Sequence, residues 1–217
     1  MNYGQGKVNN NQTLTPNKKM ETSISKNYPK YCFYFYLAFW ILLAIKPVDR
    51  FNWFLENILA VLFVVILIVS YRKIRLSNTS YTLILLFIII HTIGAHYTYS
   101  QTPFFSELFG QKLQRDHYDR VTHFTFGLLL YYPAFDLITR RKGANNSWRF
   151  LFAFSLVVAS SSLYEIFEWA SALIISPDHA FNFISSQGDV FDTQKDMSLA
   201  SLGALVSATA TFFKCRR

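Results

Sequence analysis

Apolar residues arrive along the chain in six blocks, at about 31–46, 52–70, 81–99, 120–139, 149–175 and 197–213. A helix that crosses a bilayer needs ~20 mostly apolar residues rising 1.5 Å each. The run LAVLFVVILIVS in the second block and YTLILLFIII in the third meet that need outright. The first and last blocks are short, the fourth opens on polar residues, and the fifth is long enough to protrude or tilt. No block alternates with the period of two that a strand of a membrane barrel shows. The pattern predicts an all-α, polytopic integral membrane protein of six transmembrane helices. Residues 1–30, rich in Asn, Lys, Thr and Ser, hold too little apolar surface to offset their ordering entropy and are expected to be a disordered tail. They carry no short apolar run with a small-residue cleavage site, so they are not expected to be a signal peptide.

Composition agrees with this pattern. Hydrophobic residues make up 52% of the 217 positions and charged residues only 16%, against roughly 25% charged in a soluble domain. Two cysteines exclude a disulfide scaffold; Cys32 and Cys215 fall at the predicted cytoplasmic ends of spans, where thiols stay reduced. Fifteen of the 21 Lys and Arg residues fall on the tail, the second and fourth connections and the C-terminus; six fall on the other side. The positive-inside rule then places both termini in the cytoplasm. The net charge of +8 reads as orientation and lipid-headgroup contact, not as a nucleic-acid footprint. No P-loop or dinucleotide fingerprint occurs, so no nucleotide cofactor is expected.

The acids show the opposite bias. Eleven of 13 map to the predicted outer loops or outer halves of spans, and only Glu21 and Asp136 lie toward the cytoplasm. For Asp49, Glu107, Asp178 and His179 this follows from keeping cations inside. It does not account for ionisable groups within the apolar blocks, where a charge costs ~2.5–3.5 kcal/mol and usually faces a bundle interior or cavity. Glu56, His96, His123, Glu165, Glu168, Asp192 and Asp196 come from five spans yet reach one level near the outer interface. His91 lies roughly 15 Å into span three, near mid-membrane. Asp119 and His123 are spaced i, i+4, Glu165 and Glu168 i, i+3, and Asp192 and Asp196 i, i+4, so each pair shares a helix face. Convergence of this kind predicts one polar pocket.

Three chemistries fit the pocket, beside a packing role in which the acids and histidines, His123 among them, satisfy one another. In the first, His96, Asp119, His123, Glu165, Glu168 and Asp192 ligate a divalent metal, with Zn, Mn or Fe suited to such O and N donors. Asp119, His123, Glu165 and Glu168 are then the candidate catalytic set for hydrolysis or transfer on a lipid-linked envelope substrate. Arg120, Lys195, Tyr97 and Tyr118 are the candidate substrate-binding residues, the two cations for a phosphate. No established zinc motif such as H-E-x-x-H is present. In the second, His91 with carboxylates above it begins a proton path of a transporter or relay. In the third, loops at about 100–118 and 176–191, with Phe104, Phe105, Tyr118, Phe181 and Phe183, bind a headgroup, a cell-wall precursor or a partner without catalysis.

Other features read structurally. Asp136 and Arg140 suit an i, i+4 ion pair, and Thr193 to Asp196 fits a loose capping box. Trp53, Trp148 and Trp169 fit an interfacial belt. The hydroxyls of Ser160, Ser161 and Ser162 can bond across a helix contact, and Ala200, Gly203, Ala204 and Ala208 give span six a small-residue packing face.

The strings IHTIGAHYTYSQTPF, RDHYDRVTHFTFGLLLYYPAF, SSLYEIFEWASAL and GDVFDTQKDMSLASLGAL, in this order, resemble the YjdF-type family of predicted bacterial inner-membrane proteins. The resemblance runs from about residue 30 to the C-terminus; the family has no established biochemical function. A more distant resemblance is to VanZ-like membrane proteins, on Asp119 with His123-Phe124, on Glu165 or Glu168, and on Asp196 with Ala200 and Gly203. Trp169 stands where that pattern prefers Gln, and Ala200 where it has a common Asn. Together the resemblances imply a small helical inner-membrane protein whose marked residues face the cell envelope; the VanZ-like one implies an envelope-stress or resistance factor.

Overall fold

The structure, a computed structural model, describes residues 27–103, 116–140, 146–176, 180, 183 and 187–216. The tail up to residue 26 and the candidates Phe104, Phe105, Glu107, Asp178, His179 and Phe181 lie outside the described residues. Among the described residues there are six helices: α1 (Tyr28–Leu43), α2 (Arg50–Ser70), α3 (Asn78–His96), α4 (Tyr118–Thr139), α5 (Asn146–Ala172) and α6 (Asp192–Arg216). Four of these, α2, α3, Trp148–Ala172 of α5, and α6, are long and apolar enough to cross a membrane. At 16 residues α1 is shorter, and α4 carries the polar residues noted above.

Polar punctuation sets the helix starts. The Asp49 carboxylate accepts from the amides of Phe51 and Asn52 at 2.8 and 3.0 Å and caps α2. Ser77 caps α3 by accepting from the Ser80 amide at 3.2 Å. Both caps satisfy amides that have no partner within the helix. Pro29 sits in the first turn of α1, where the missing N–H is harmless.

The helices run up and down, with alternate ends meeting. At one end, the Val48 amide donates to the His96 carbonyl at 3.0 Å, joining the end of α1 to that of α3. At the same end, the Asp116 amide donates to Gln187 Oε1 and Gln187 Nε2 donates to the Asp116 carbonyl, each at 2.9 Å. At the opposite end, Asp136 of α4 accepts from the Ser77 amide at 2.7 Å and from Ser80 Oγ at 2.8 Å. Arg140 Nε donates to the same carboxylate at 2.8 Å, so the expected i, i+4 ion pair is present and also anchors α3.

Helix α4 is central and packs on α3, α5 and α6, most extensively on α6. The α4–α6 contact is backbone to backbone. A Cβ built on Gly127 would stand 2.7 Å from the Ala204 nitrogen, and one on Gly203 would stand 2.8 Å from the Leu128 nitrogen. Ala200 and Ala204 are fully buried beside them, as the small-residue face of span six implied. A second apolar cluster forms around Tyr131, Phe135, Ala153 and Val157, where α4 meets α5.

Two local expectations change. Trp53 is not an interfacial side chain; it is buried, its ring 5.3 Å from that of Trp40, because Asn52, Glu56 and Asn57 turn this face of α2 inward. Trp148 and Trp169 are exposed. Ser160 and Ser162 donate back to the Leu156 and Val158 carbonyls of their own helix, at 2.8 and 3.0 Å, instead of bonding across a contact.

Candidate functional site

The close approach of α4 and α6 builds the site. His123 lies one turn before Gly127, and Asp196 one turn before Ala200, so the glycine contact brings their side chains together. One ligand atom each from Asp119, His123 and Asp196 lies within 4.8 Å of the other two, and all three residues are buried. Helix α5 adds Glu165, whose Oε1 stands 3.4 Å from His123 Nε2; Asp119 Oδ1 stands 3.6 Å from the same nitrogen.

These separations exceed the ~2.7–3.2 Å of a hydrogen bond from nitrogen to oxygen. They match the edge of about 3.3–3.6 Å expected between two ligands that share a tetrahedral ion with ~2.0–2.2 Å bonds. Glu165 Oε1 and Asp196 Oδ1 are buried and have no hydrogen-bond partner among the described residues. Glu165 is 5% exposed and Asp196 2%. Buried oxygens of this kind cost free energy unless something positive faces them. Three carboxylates and one imidazole suit a divalent ion that takes oxygen and nitrogen donors.

The remaining candidates occupy different places. Arg120 Nη2 lies 2.5 Å from Asp189 Oδ2 and 3.4 Å from Asp192 Oδ1; Lys195 Nζ lies 2.6 Å from Asp189 Oδ2. Both cations expected to hold a phosphate are therefore engaged by Asp189 above the site, and Asp192 faces Arg120 instead of His123. The Lys195 ammonium, with the Arg120 guanidinium, holds the Asp189 carboxyl down to about 2. Glu168 is buried one turn beyond Glu165. His96 is apart from the cluster: its Nδ1 lies 2.8 Å from the Leu43 carbonyl, and its ring packs edge-on against Tyr97. Tyr118 donates to the Ile90 carbonyl at 2.9 Å.

A second polar chain runs beside the cluster. Tyr164 donates to Glu56 Oε2 at 2.5 Å, and its ring meets His123 edge-on. His91 Nε2 lies 3.2 Å from the Glu56 main-chain carbonyl, and His91 Nδ1 lies 2.6 Å from the Tyr99 hydroxyl. A carbonyl only accepts, so Nε2 carries the proton and Nδ1 accepts from Tyr99. Tyr99 reaches back because Thr98 and Tyr99 both take a left-handed backbone, at φ 54°. That conformation is strained for a bulky residue and is held here by burial and by the bond to His91. Gly94 is required beneath it, since a Cβ there would stand 2.6 Å from Cδ1 of the Tyr99 ring.

Tyr164 and Tyr99 had no signal in the sequence beyond lying in the strings quoted above, and Gln187, just before the last of them, had none. Asp196 had one, its i, i+4 spacing from Asp192, which competed with the capping reading.

The fold and the site define a multi-pass helical membrane protein with a buried carboxylate–imidazole cluster at one end of its bundle. The chain belongs to the family described as predicted membrane protein (DUF2238), which matches residues 28–217. It is 34% identical over 181 residues to a protein of Escherichia coli (strain K12) named Inner membrane protein YjdF, covering 80% of this chain and 84% of that one. No solved structure matches.

Proposed function

We propose that this protein binds a divalent cation, of the Zn, Mn or Fe type, through Asp119, His123, Glu165 and Asp196, and uses it on a lipid-linked or envelope ligand. In this reading residues 31–217 form six spans of the inner membrane behind a 1–30 tail. Both termini are cytoplasmic, and the cluster opens toward the outer face. The basic residues concentrated on the tail, two connections and the C-terminus support that orientation.

The observation that carries the reading is the spacing of 3.4 and 3.6 Å from His123 Nε2 to two carboxylates, too long for hydrogen bonds and suited to ligands of one ion. A bound cation supplies Lewis-acid polarisation and a more acidic water, the chemistry of hydrolysis and transfer. Glu168 backs the acid set, and Arg120 and Lys195, oriented by Asp189, flank its mouth.

Metal content of detergent-purified protein tests it, wild type beside His123→Ala, Glu165→Gln and Asp196→Asn. Near-stoichiometric metal in wild type, lost in all three well-folded variants, is the expected result. Folded wild type that stays metal-free after reconstitution overturns it. A second reading, proton relay, rests on the Tyr99–His91 hydrogen bond and the Tyr164–Glu56 bond. It predicts proton flux in vesicles that Glu56→Gln stops.

A further inference from the structure

Helices α2 and α5 meet through the Tyr164–Glu56 hydrogen bond but make no extended packing contact; α2 packs chiefly on α3, and α5 on α4 and α6. Between them lies a cavity of about 550 Å³, within the ~300–1,000 Å³ of sites that hold small molecules. Its walls are mostly apolar, from Leu59 to Leu67 on α2 and from Leu156 to Phe167 on α5, where Ser160, Ser161 and Tyr164 are the polar exceptions. Along α4 its lining runs from Asp119 to Leu137. That is 18 residue steps, or ~27 Å of helix, close to the ~30 Å hydrocarbon thickness of a bilayer.

The two ends of the cavity differ. Its floor, Phe87, Phe126 and Leu130, is apolar, and one end is closed by His91, Tyr99, Asp119 and His123. Its mouth is flanked by Leu62 and Leu163, which line it and are 52% and 64% exposed. Both mouth residues lie on helices able to cross a membrane, so the mouth faces lipid and not water. Asp119 and His123 line the cavity, whereas Glu165 and Asp196 do not. The open side of the cluster is therefore the side that faces the cavity.

We infer that the gap between α2 and α5 is a lateral slot that admits one long hydrocarbon chain of a phosphate-headed lipid from the bilayer and sets its head against the Asp119–His123 face of the cluster. The chain part stands on the slot alone. The head part rests on the proposed cation, because the lining at that end, His91, Tyr99, Asp119 and His123, holds no lysine or arginine to offset the Asp119 carboxylate against a phosphate.

The test uses full-length protein in phosphatidylcholine nanodiscs doped with a phosphatidic acid whose acyl chain carries a diazirine. After irradiation, labelled residues are mapped by mass spectrometry. Label on the floor residues Phe87, Phe126 or Leu130 is expected, lost in Leu62→Trp/Leu163→Trp and reduced by chelation or by His123→Ala. Both tryptophan positions are exposed, so that variant should retain its fold and its metal. Label confined to outward-facing side chains that do not line the cavity, such as Val69 and Ile166, overturns the slot. Floor labelling that blocking removes but chelation and His123→Ala leave unchanged keeps the slot and overturns the cation-held head. Metal bound normally with an unlabelled floor overturns the slot and leaves the cation reading standing.

Discussion

If the α4–α6 glycine contact sets the site, a single methyl group should dismantle it from outside. Gly127→Ala places a Cβ 2.7 Å from the Ala204 nitrogen and closer still to the Ala200 carbonyl oxygen. Comfortable contact for carbon begins near ~3.5 Å, so the helices must part by at least ~0.8 Å. Neither colliding group is a flexible side-chain end; both are helix backbone, and the helices must move as bodies. Overpacking of this kind costs ~1–3 kcal/mol. The effect on the site is sharper, because ligand distances tolerate only ~0.2 Å. His123 rides on α4 and Asp196 on α6, so the gap opens between them. The expected result is a lower melting temperature in detergent together with weaker metal retention, although no ligand has been changed. Gly203→Ala, which collides with the Leu128 nitrogen at 2.8 Å and with the Phe124 carbonyl oxygen, should behave alike. A Gly127→Ala protein that melts and binds metal as wild type does would refute the claim that this contact positions the cluster.

Two further outcomes follow from the ends of the bundle. Asp136→Ala strands the Ser77 amide, the Ser80 hydroxyl and Arg140 together, at an expected cost of ~3–5 kcal/mol. It lies 17 residues from Asp119, ~25 Å along α4, so thermal melting should fall while metal per folded protein stays constant; loss of both would show that the two ends are coupled. The Asp189 carboxyl, held down to about 2, stabilises the fold fully above its unfolded value near ~4 and loses that contribution as pH falls through about 2. The melting difference between wild type and Asp189→Asn should be flat above about pH 4 and vanish toward pH 2; a difference that titrates near neutrality would assign the clamp to another group.

The helices were legible because membrane spans must be apolar over a fixed length, and hydropathy reads that directly. Their ends were less so. The third block was expected at 81–99, yet α3 runs Asn78–His96. Ser77 starts it with a polar cap, and the left-handed Thr98 and Tyr99 end it early despite their aromatic neighbours. The last block was expected from 197, yet α6 begins at Asp192 and takes in both acids. Hydropathy cannot see that, since a helix turn facing protein needs no apolar residues. The site was legible as spacing within helices, and Asp119, His123 and Glu165 come together. What spacing could not supply was pairing between helices. That depends on Gly127 seating against Ala200 and Ala204 and Gly203 against Phe124 and Leu128, which chooses Asp196 for the cluster and leaves Asp192 to Arg120.

The helix that carries most of the site is also the long one that fails the apolarity test, and the two facts have one cause. Helix α4 packs against α3, α5 and α6, so lipid touches little of it. Asp119, Thr122, His123 and Asp136 are all buried against those neighbours. A central helix can therefore carry polar residues at a cost its neighbours offset, whereas α2, which faces lipid along Val61, Leu62, Val65, Ile66 and Val69, cannot. The same geometry explains why the slot lies beside α2. A helix held chiefly by α3 leaves a flank unfilled, and the residues across that gap on α5, Leu156, Leu163 and Phe167, present hydrocarbon to it. Polar chemistry on the best-packed helix and an apolar opening beside the least-packed one are complementary consequences of this arrangement. A lipid whose chain fills the second would carry its head to the first.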